Sequence, residues 1–251
     1  MRRTVSFALT LIAALAVALP ASAGEPKHYP RGAHERERHD EGPPPNWLEQ
    51  GQFRLRIGFF TPRGNSDLWD SNAQIFTGKP EDFRDVTFGG DMLWSINRNA
   101  SVMFSLSTYE GQKLQSDRDF TDEFGGAITH NTRLNITPLT VGFVLYPAGR
   151  KAPVVPYLGA GGGFYFWRYR EAGDFVNAET AEIFTDSYES SGVAPGAFAV
   201  AGLDFAVRPN WSVFVEGRYH WAKGNLESDF EPLSKIDLSG PEFSAGVGWK
   251  F

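Results

Sequence analysis

The sequence predicts an all-β fold: an eight-stranded antiparallel up-and-down transmembrane β-barrel with short periplasmic turns and long extracellular loops. Three observations predict it. The chain opens with an export signal, continues through eight segments in which apolar and polar residues alternate, and ends on a strand that finishes with an aromatic residue.

Residues 1–23 read as a signal peptide. Arg2 and Arg3 form a positive start, an apolar run fills residues 5–19, and Ala21-Ser22-Ala23 supplies the small-x-small cleavage pattern. Residues 24–47 are polar and charged and pass into Pro43-Pro44-Pro45, the composition of a flexible arm closed by a stiff extended piece. His28, His34 and His39 in this arm have no regular spacing and no rigid scaffold, so they read as a solvated tail and no metal site is assigned.

The barrel domain is expected over residues 48–251. In QFRLRIGFF, Phe53, Leu55, Ile57 and Phe59 share one parity while Arg54, Arg56 and Gly58 share the other. DVTFGGDMLWSI sets Val86, Phe88, Met92, Trp94 and Ile96 against Asp85, Thr87, Gly89, Asp91 and Ser95. SVMFSLSTY, PLTVGFVLY, VPYLGAGGGFYFW, GAFAVAGLDFAV and WSVFVEGRYHW continue the pattern, and EFSAGVGWKF completes the set of eight. Long polar connections follow the first, third, fifth and seventh segments. Tight links rich in Asn, Gly and Pro (INRNAS, YPAGRKAP, VRPNWS) join the hairpins to one another, the plan of four hairpins with loops at one end and turns at the other.

A soluble eight-stranded barrel turns its apolar face inward, whereas a membrane barrel turns it toward lipid. The mid-strand charges decide between them. Arg54, Arg56, Asp85, Asp91, Glu216, Arg218, His220 and Glu242 share the small-residue parity and are expected to line the lumen. Trp94, Phe143, Phe164, Phe166, Trp211, Tyr219, Trp221 and Trp249 would overcrowd so narrow an interior and are expected outside, those near strand ends forming interfacial girdles.

Composition excludes several function classes. A formal net charge of −6, which becomes more acidic when Arg2 and Arg3 leave with the signal, offers no basic footprint for nucleic acid. With no cysteine there is no disulfide, cysteine-zinc site or thiol nucleophile. No stretch after the signal reaches the roughly 18 apolar residues of a membrane helix.

Candidate chemistry is weak. Lipid A deacylase barrels pair a His with a Ser two residues on; here the residue two beyond His220 is Ala222, so the nucleophile is missing and His220 reads as a lumen histidine bonded to a carboxylate. Asp117, Asp119, Asp122, Glu123 and His130 suggest the acid and histidine pairs of protease barrels or a Ca²⁺ loop. They lack fixed geometry and the ordered ligand spacing, and read as a solvated acidic loop. Gly159-Ala160-Gly161-Gly162-Gly163 lacks the Lys-Ser/Thr of a phosphate loop and lies inside a strand, where its glycines would let lumen residues such as Tyr157 and Tyr165 pack across. No catalytic residue, metal or cofactor is assigned.

The terminal strand, with Phe243, Val247, Trp249 and Phe251 on one face and nothing after Phe251, resembles the C-terminal assembly signal of Gram-negative outer-membrane barrels. Further segments are similar to the OmpW family of small outer-membrane barrels: FRLRIGFFTPRGNSD to its opening strand, TPLTVGFVLYP and PYLGAGGGFYF to its fourth and fifth strands, WKF to its ending. Parts of the pattern are shared with OmpA-like barrels. The resemblance implies a monomer in the outer membrane, in contact with its lipids and lipopolysaccharide and with the barrel-assembly machinery. It also implies a narrow passage for small hydrophobic molecules, from which the inward charges depart. The function expected is non-enzymatic: binding or passing small hydrophobic molecules, or a structural and surface role. The alternative class is a lipid-modifying, lipid A deacylase-like enzyme.

Overall fold

The computed structural model describes residues 51–251 except 151 and 178. The expected signal, the arm and the first residues of the barrel domain lie outside the described residues. Among the described residues nine antiparallel strands form: β1 (Gly51–Phe60), β2 (Asp85–Asn97), β3 (Ala100–Thr121), β4 (Ala127–Leu145), β5 (Val154–Val176), β6 (Ile183–Arg208), β7 (Trp211–Asn225), β8 (Lys235–Asp237) and β9 (Gly240–Lys250). Each long strand pairs with its neighbour in sequence, β6 pairs with β7, β7 with β9 and β9 with β1, so eight strands close a ring. β8 is a short addition on β7. At the seam between β9 and β1 the Phe251 N–H donates to the Gly51 carbonyl at 3.0 Å.

Closure leaves no open edge around the ring, and the period-2 alternation then sorts side chains to inside and outside. Phe143 is 60 % exposed and Phe243 67 %, while Arg54, Asp91, Glu216, Arg218 and Glu242 are buried. Trp94, Phe164, Phe166, Trp211, Trp221 and Trp249 also face outward, and the Trp211 and Trp249 rings stack at 6.0 Å near the short-turn end.

The strands are longer than the alternation of the apolar segments suggests. The connections after the third and fifth segments, expected as long loops, are mostly continuations of β3, β4, β5 and β6, joined by tight turns at residues 122–126 and 177–182. Gly125 takes φ 80° in the first of these turns, a conformation that costs glycine nothing. Along these extensions the polarity inverts. On β4, Leu139, Val141, Phe143 and Leu145 face out, but above them Thr137, Asn135 and Arg133 face out while Leu134 and Ile136 are buried. On β5 the outward row is apolar through Phe166 and turns to Arg168 and Arg170, with Trp167 and Tyr169 buried. Lipid-facing wall therefore ends near Thr137 and Phe166, which are cross-strand partners. From Val154 to Phe166 the strand covers roughly 40 Å at about 3.3 Å per residue. A tilt of about 45° reduces this to roughly 28 Å, close to the ~25 Å apolar band of outer-membrane barrels.

The other two connections at the tall end fold into its mouth. The first carries a helix, α1 (Asp67–Ile75), and a 3-10 turn (Pro80–Phe83); the last carries a 3-10 turn (Ser228–Leu233) and β8. Leu68 and Trp69 are buried, the indole packing edge-on against Phe83 of the same connection and Tyr169 of β5. The two connections brace each other: the Asn65 N–H donates to the Asp237 carboxylate at 2.9 Å, the Asp237 N–H to Ser66 Oγ at 3.1 Å, and Trp69 Nε1 to the Asp237 carbonyl at 3.2 Å. Together they form a lid.

Candidate functional site: the sealed interior

Three layers fill the barrel. Nearest the short turns, Leu93, Met103, Val144, Tyr146, Phe198 and Val200 belong to an apolar cluster. At the tall end, Trp69 and Phe230 of the lid join Phe60, Tyr109, Ile136 and Trp167 of the strands in a second. Between them lies a charged layer.

Its centre is Asp91 on β2. Arg56 Nη1 from β1 lies 2.5 Å from one carboxylate oxygen and Arg218 Nη2 from β7 lies 2.7 Å from the other. Arg218 Nε also meets Glu216 at 2.6 Å, and Arg56 Nε meets Glu242 at 3.1 Å. Ser105 Oγ accepts from Arg218 Nη1 at 2.9 Å, and the Tyr157 O–H donates to Glu216 at 2.7 Å. His220 lies between Glu242, 3.1 Å from Nε2, and the Tyr165 hydroxyl, 3.0 Å from Nδ1. Arg54 forms a separate pair with Asp204 at 2.7 Å, shared with Gln52, and its guanidinium lies over the Tyr157 and Phe214 rings at 4.7 and 4.8 Å. A charge withdrawn from water is tolerated only when paired and hydrogen-bonded, and here each carboxylate has at least one guanidinium or imidazole partner.

The structure thus brings Arg56, Asp91, Glu216, Arg218, His220 and Glu242 into one network and gives Arg54 a partner of its own. Asp85 is not among them. It stands at the first position of β2, opposite Phe60, half-exposed, with its carboxylate accepting the Val86 N–H at 2.7 Å. Parity alone placed it with Asp91; its height at the strand's end takes it out of the layer. Sequence reasoning missed Asp204, the partner of Arg54, inside the apolar-looking GAFAVAGLDFAV. The available signal was its parity, which it shares with the buried Phe198 and Val200. Gln52 and Ser105 carried no charge to mark them.

Glycines let this interior fit its wall, though in a different pairing from the one expected. Cβ atoms at Gly196 and Gly202 of β6 would sit 2.5 Å from the Tyr165 and Tyr157 rings, whereas Gly161 of the β5 run and Gly142 of β4 lie under Phe198. A small cavity bounded by Thr87, Ser107, Tyr109, Tyr165, His220 and Glu242 remains above the charged layer, with room for about one water molecule.

Phe243, Val247, Trp249 and Phe251 all lie on the outer face of the last strand and its end. The remaining candidates belong to the tall end, above the lipid-facing wall. His130 is buried between Phe76 and Phe175, with ring centroids at 4.1 and 5.1 Å, and neither nitrogen has a hydrogen-bond partner. Burial pushes its pKa down to about 4, against the opposing pull of Asp117. Asp122 caps its own turn by accepting the Phe124 and Gly126 N–H groups. Glu171, whose carboxyl burial pushes up, receives the Tyr169 O–H and the Asn72 amide, and so ties α1 to β5.

A closed antiparallel ring with an apolar exterior and a buried, charged middle is a membrane β-barrel of the up-and-down type. The chain belongs to the outer membrane protein beta-barrel domain family, whose model matches residues 46–251. Among solved structures it is similar to the outer membrane protein OprG from Pseudomonas aeruginosa, at 12% identity and TM-score 0.51, covering 80% of this chain and 95% of that one. It is also similar to Neisserial surface protein A, at 16% identity and TM-score 0.45, covering 80% of this chain and 97% of that one. The outer membrane protease OmpT from Escherichia coli matches at 11% identity and TM-score 0.39, covering 80% of this chain and 96% of that one. At such identities the likeness concerns the fold. No curated protein sequence matches.

Proposed function

We propose that the protein is a non-enzymatic, monomeric barrel of the Gram-negative outer membrane, OmpW-like in its strand plan. Residues 1–23 export it, its short turns face the periplasm, and its tall, lidded end stands beyond the outer leaflet in a structural and surface-contact role. The observation that carries this reading is the continuous filling of the interior: an apolar layer, a charged layer and a second apolar layer that the lid completes. A solute moving along the axis would have to displace paired buried charges, each costing several kcal/mol to strand, on the order of 3–5. A non-enzymatic role fits the surroundings of His220, which is 4 % exposed and engaged by Glu242 and Tyr165, with no room for a substrate beside it.

Uptake into proteoliposomes tests the proposal. Small sugars and small apolar solutes should enter protein-bearing vesicles no faster than protein-free ones. Uptake that scales with the amount of folded protein would replace the sealed barrel with a conduit.

A further inference from the structure

Positive charge gathers at the short-turn end of the barrel. Arg98 stands between β2 and β3, Arg150 between β4 and β5, Arg208 at the end of β6 and Lys250 at the end of β9. None of the four has an ion-pair partner among the described residues. Arg98 Nε donates to Asn99 Oδ1 at 3.2 Å, and Arg150 donates to Ser95 Oγ with its guanidinium 5.0 Å over the Tyr146 ring. These neutral partners hold the side chains and leave their charge in place. Asp204 is the one carboxylate side chain at this end among the described residues, and Arg54 already holds it at 2.7 Å. Setting Asp204 and the terminal carboxylate of Phe251 against Arg54, Arg98, Arg150, Arg208 and Lys250 leaves three positive charges. Glu49 and Lys151, outside the described residues, add one charge of each sign and leave the excess unchanged.

Height and spread say what would match it. Ile96, Val207 and Trp249 stand one or two residues before Arg98, Arg208 and Lys250, and all three are outer-wall residues, 43 %, 63 % and 42 % exposed. Trp94 and Trp211 face outward at the same end. An aromatic girdle marks the boundary between lipid chains and water, so the cations that follow it stand at headgroup level. Arg98 and Arg208 are exposed, whereas Arg150 and Lys250 are half-buried at the mouth and add to the field from behind. The β2–β3 and β6–β7 turns lie on opposite sides of the eight-stranded ring. That spread suits a belt of lipid better than one enclosed anion. Guanidinium forks match phosphate oxygens, and a cation within a Debye length, about 8 Å, of an anionic lipid surface gains roughly fivefold in affinity.

We propose that the short-turn rim, through Arg98 and Arg208 with Arg150 and Lys250 behind them, selects anionic phospholipids of the inner leaflet over zwitterionic ones. The leaflet rests on the orientation proposed above; the selection is independent of it and of whether the interior conducts.

Orientation is tested separately with Asn210→Cys, exposed between β6 and β7. It should be protected from an impermeant thiol reagent on whole cells and react once the outer membrane is permeabilised. Labelling on whole cells would overturn the assignment to the inner leaflet. Selection is tested with the folded barrel in zwitterionic detergent, titrated with phosphatidylglycerol or phosphatidylcholine of identical chains and read by native mass spectrometry. Wild type should retain phosphatidylglycerol about fivefold or more better. Arg98→Gln/Arg208→Gln should bring the two lipids within about twofold, while Lys113→Gln/Lys235→Gln at the tall end, with the same change in net charge, should keep the preference. Equal retention by wild type needs no variant to read and would overturn the proposal. A preference that survives the rim substitutions, or that the tall-end substitutions abolish equally, would do the same. Inorganic phosphate at about 10 mM should not displace the lipid, because its chains hold it too; displacement would make the rim a site for free anions and overturn the lipid reading. The rim variant should unfold in lipid-free detergent at the wild-type denaturant midpoint, since neither arginine has an ion pair to lose. A marked loss of stability would show that the arginines hold their turns together, and would overturn their assignment to lipid.

Discussion

Arg218 reaches across the interior to Asp91 at 2.7 Å, although β1 and β9 lie between their two strands in the ring. Arg56 holds the other oxygen of the same carboxylate, so one acid ties β2 to both β1 and β7. Removing a single member leaves buried charge uncompensated. Arg218→Ala should lower the unfolding free energy of the refolded barrel by about 3–5 kcal/mol. The Arg218→Ala/Asp91→Ala double variant should lose clearly less than the sum of the single losses, because the two groups share one network. Denaturant titration of all three variants measures this, and strict additivity would dissolve the network into independent contacts.

Phe143 lies near the middle of the apolar band, opposite Ala160, whereas Thr137 marks its upper limit. Phe143→Arg should cost about 2–4 kcal/mol in folding into vesicles, and Thr137→Arg roughly 0–1. Equal costs would mean that the outer wall does not meet lipid at these heights.

His130 gives the tall end a pH dependence. In the unfolded chain the imidazole takes up its proton near pH 6.5. In the folded chain burial delays uptake to about 4. Between these values the unfolded state binds more protons, so stability should be fully present above about pH 6.5 and fall as pH drops toward 4. His130→Phe keeps a ring between Phe76 and Phe175 and should flatten the dependence that hydrogen exchange reports for the β3–β4 hairpin. An unchanged slope in that variant would assign the effect to another group.

How far the sequence carried the fold depends on which rows kept their meaning along the strand. From Leu139 to Leu145 and from Val154 to Phe166 the outward parity is apolar, and the strands were legible there. Above Thr137 the alternation persists with its sense reversed, because the wall leaves lipid for water while the interior still needs an apolar filling. Asn131, Arg133 and Asn135 therefore looked like loop residues although they face outward from β4. α1 carried no strand period and was hidden in a polar connection; only its contact with the mouth makes Leu68 and Trp69 core residues. In the charged layer, parity found Arg56, Asp91 and Arg218 but could not supply height, which removes Asp85, nor the tertiary register that brings Asp204 to Arg54.

Phe251 contributes half-exposed outer surface, a ring against Gly51 and one backbone hydrogen bond. Deleting it should therefore change the stability of the refolded barrel little, while depleting the protein from the outer membrane if the terminal strand serves as the assembly signal. Quantifying outer-membrane protein beside detergent unfolding separates the two effects, and normal membrane levels would remove that role from Phe251.

The sealed interior is the centre of the account, and single-barrel conductance in a planar lipid bilayer tests it most directly. Folded wild-type protein should show no steady ionic conductance, and Arg54→Ala/Glu216→Ala should admit at most brief events, because the apolar layers above and below the charges remain in place. A large, steady wild-type conductance unaffected by that double substitution would contradict the account and establish an open pore.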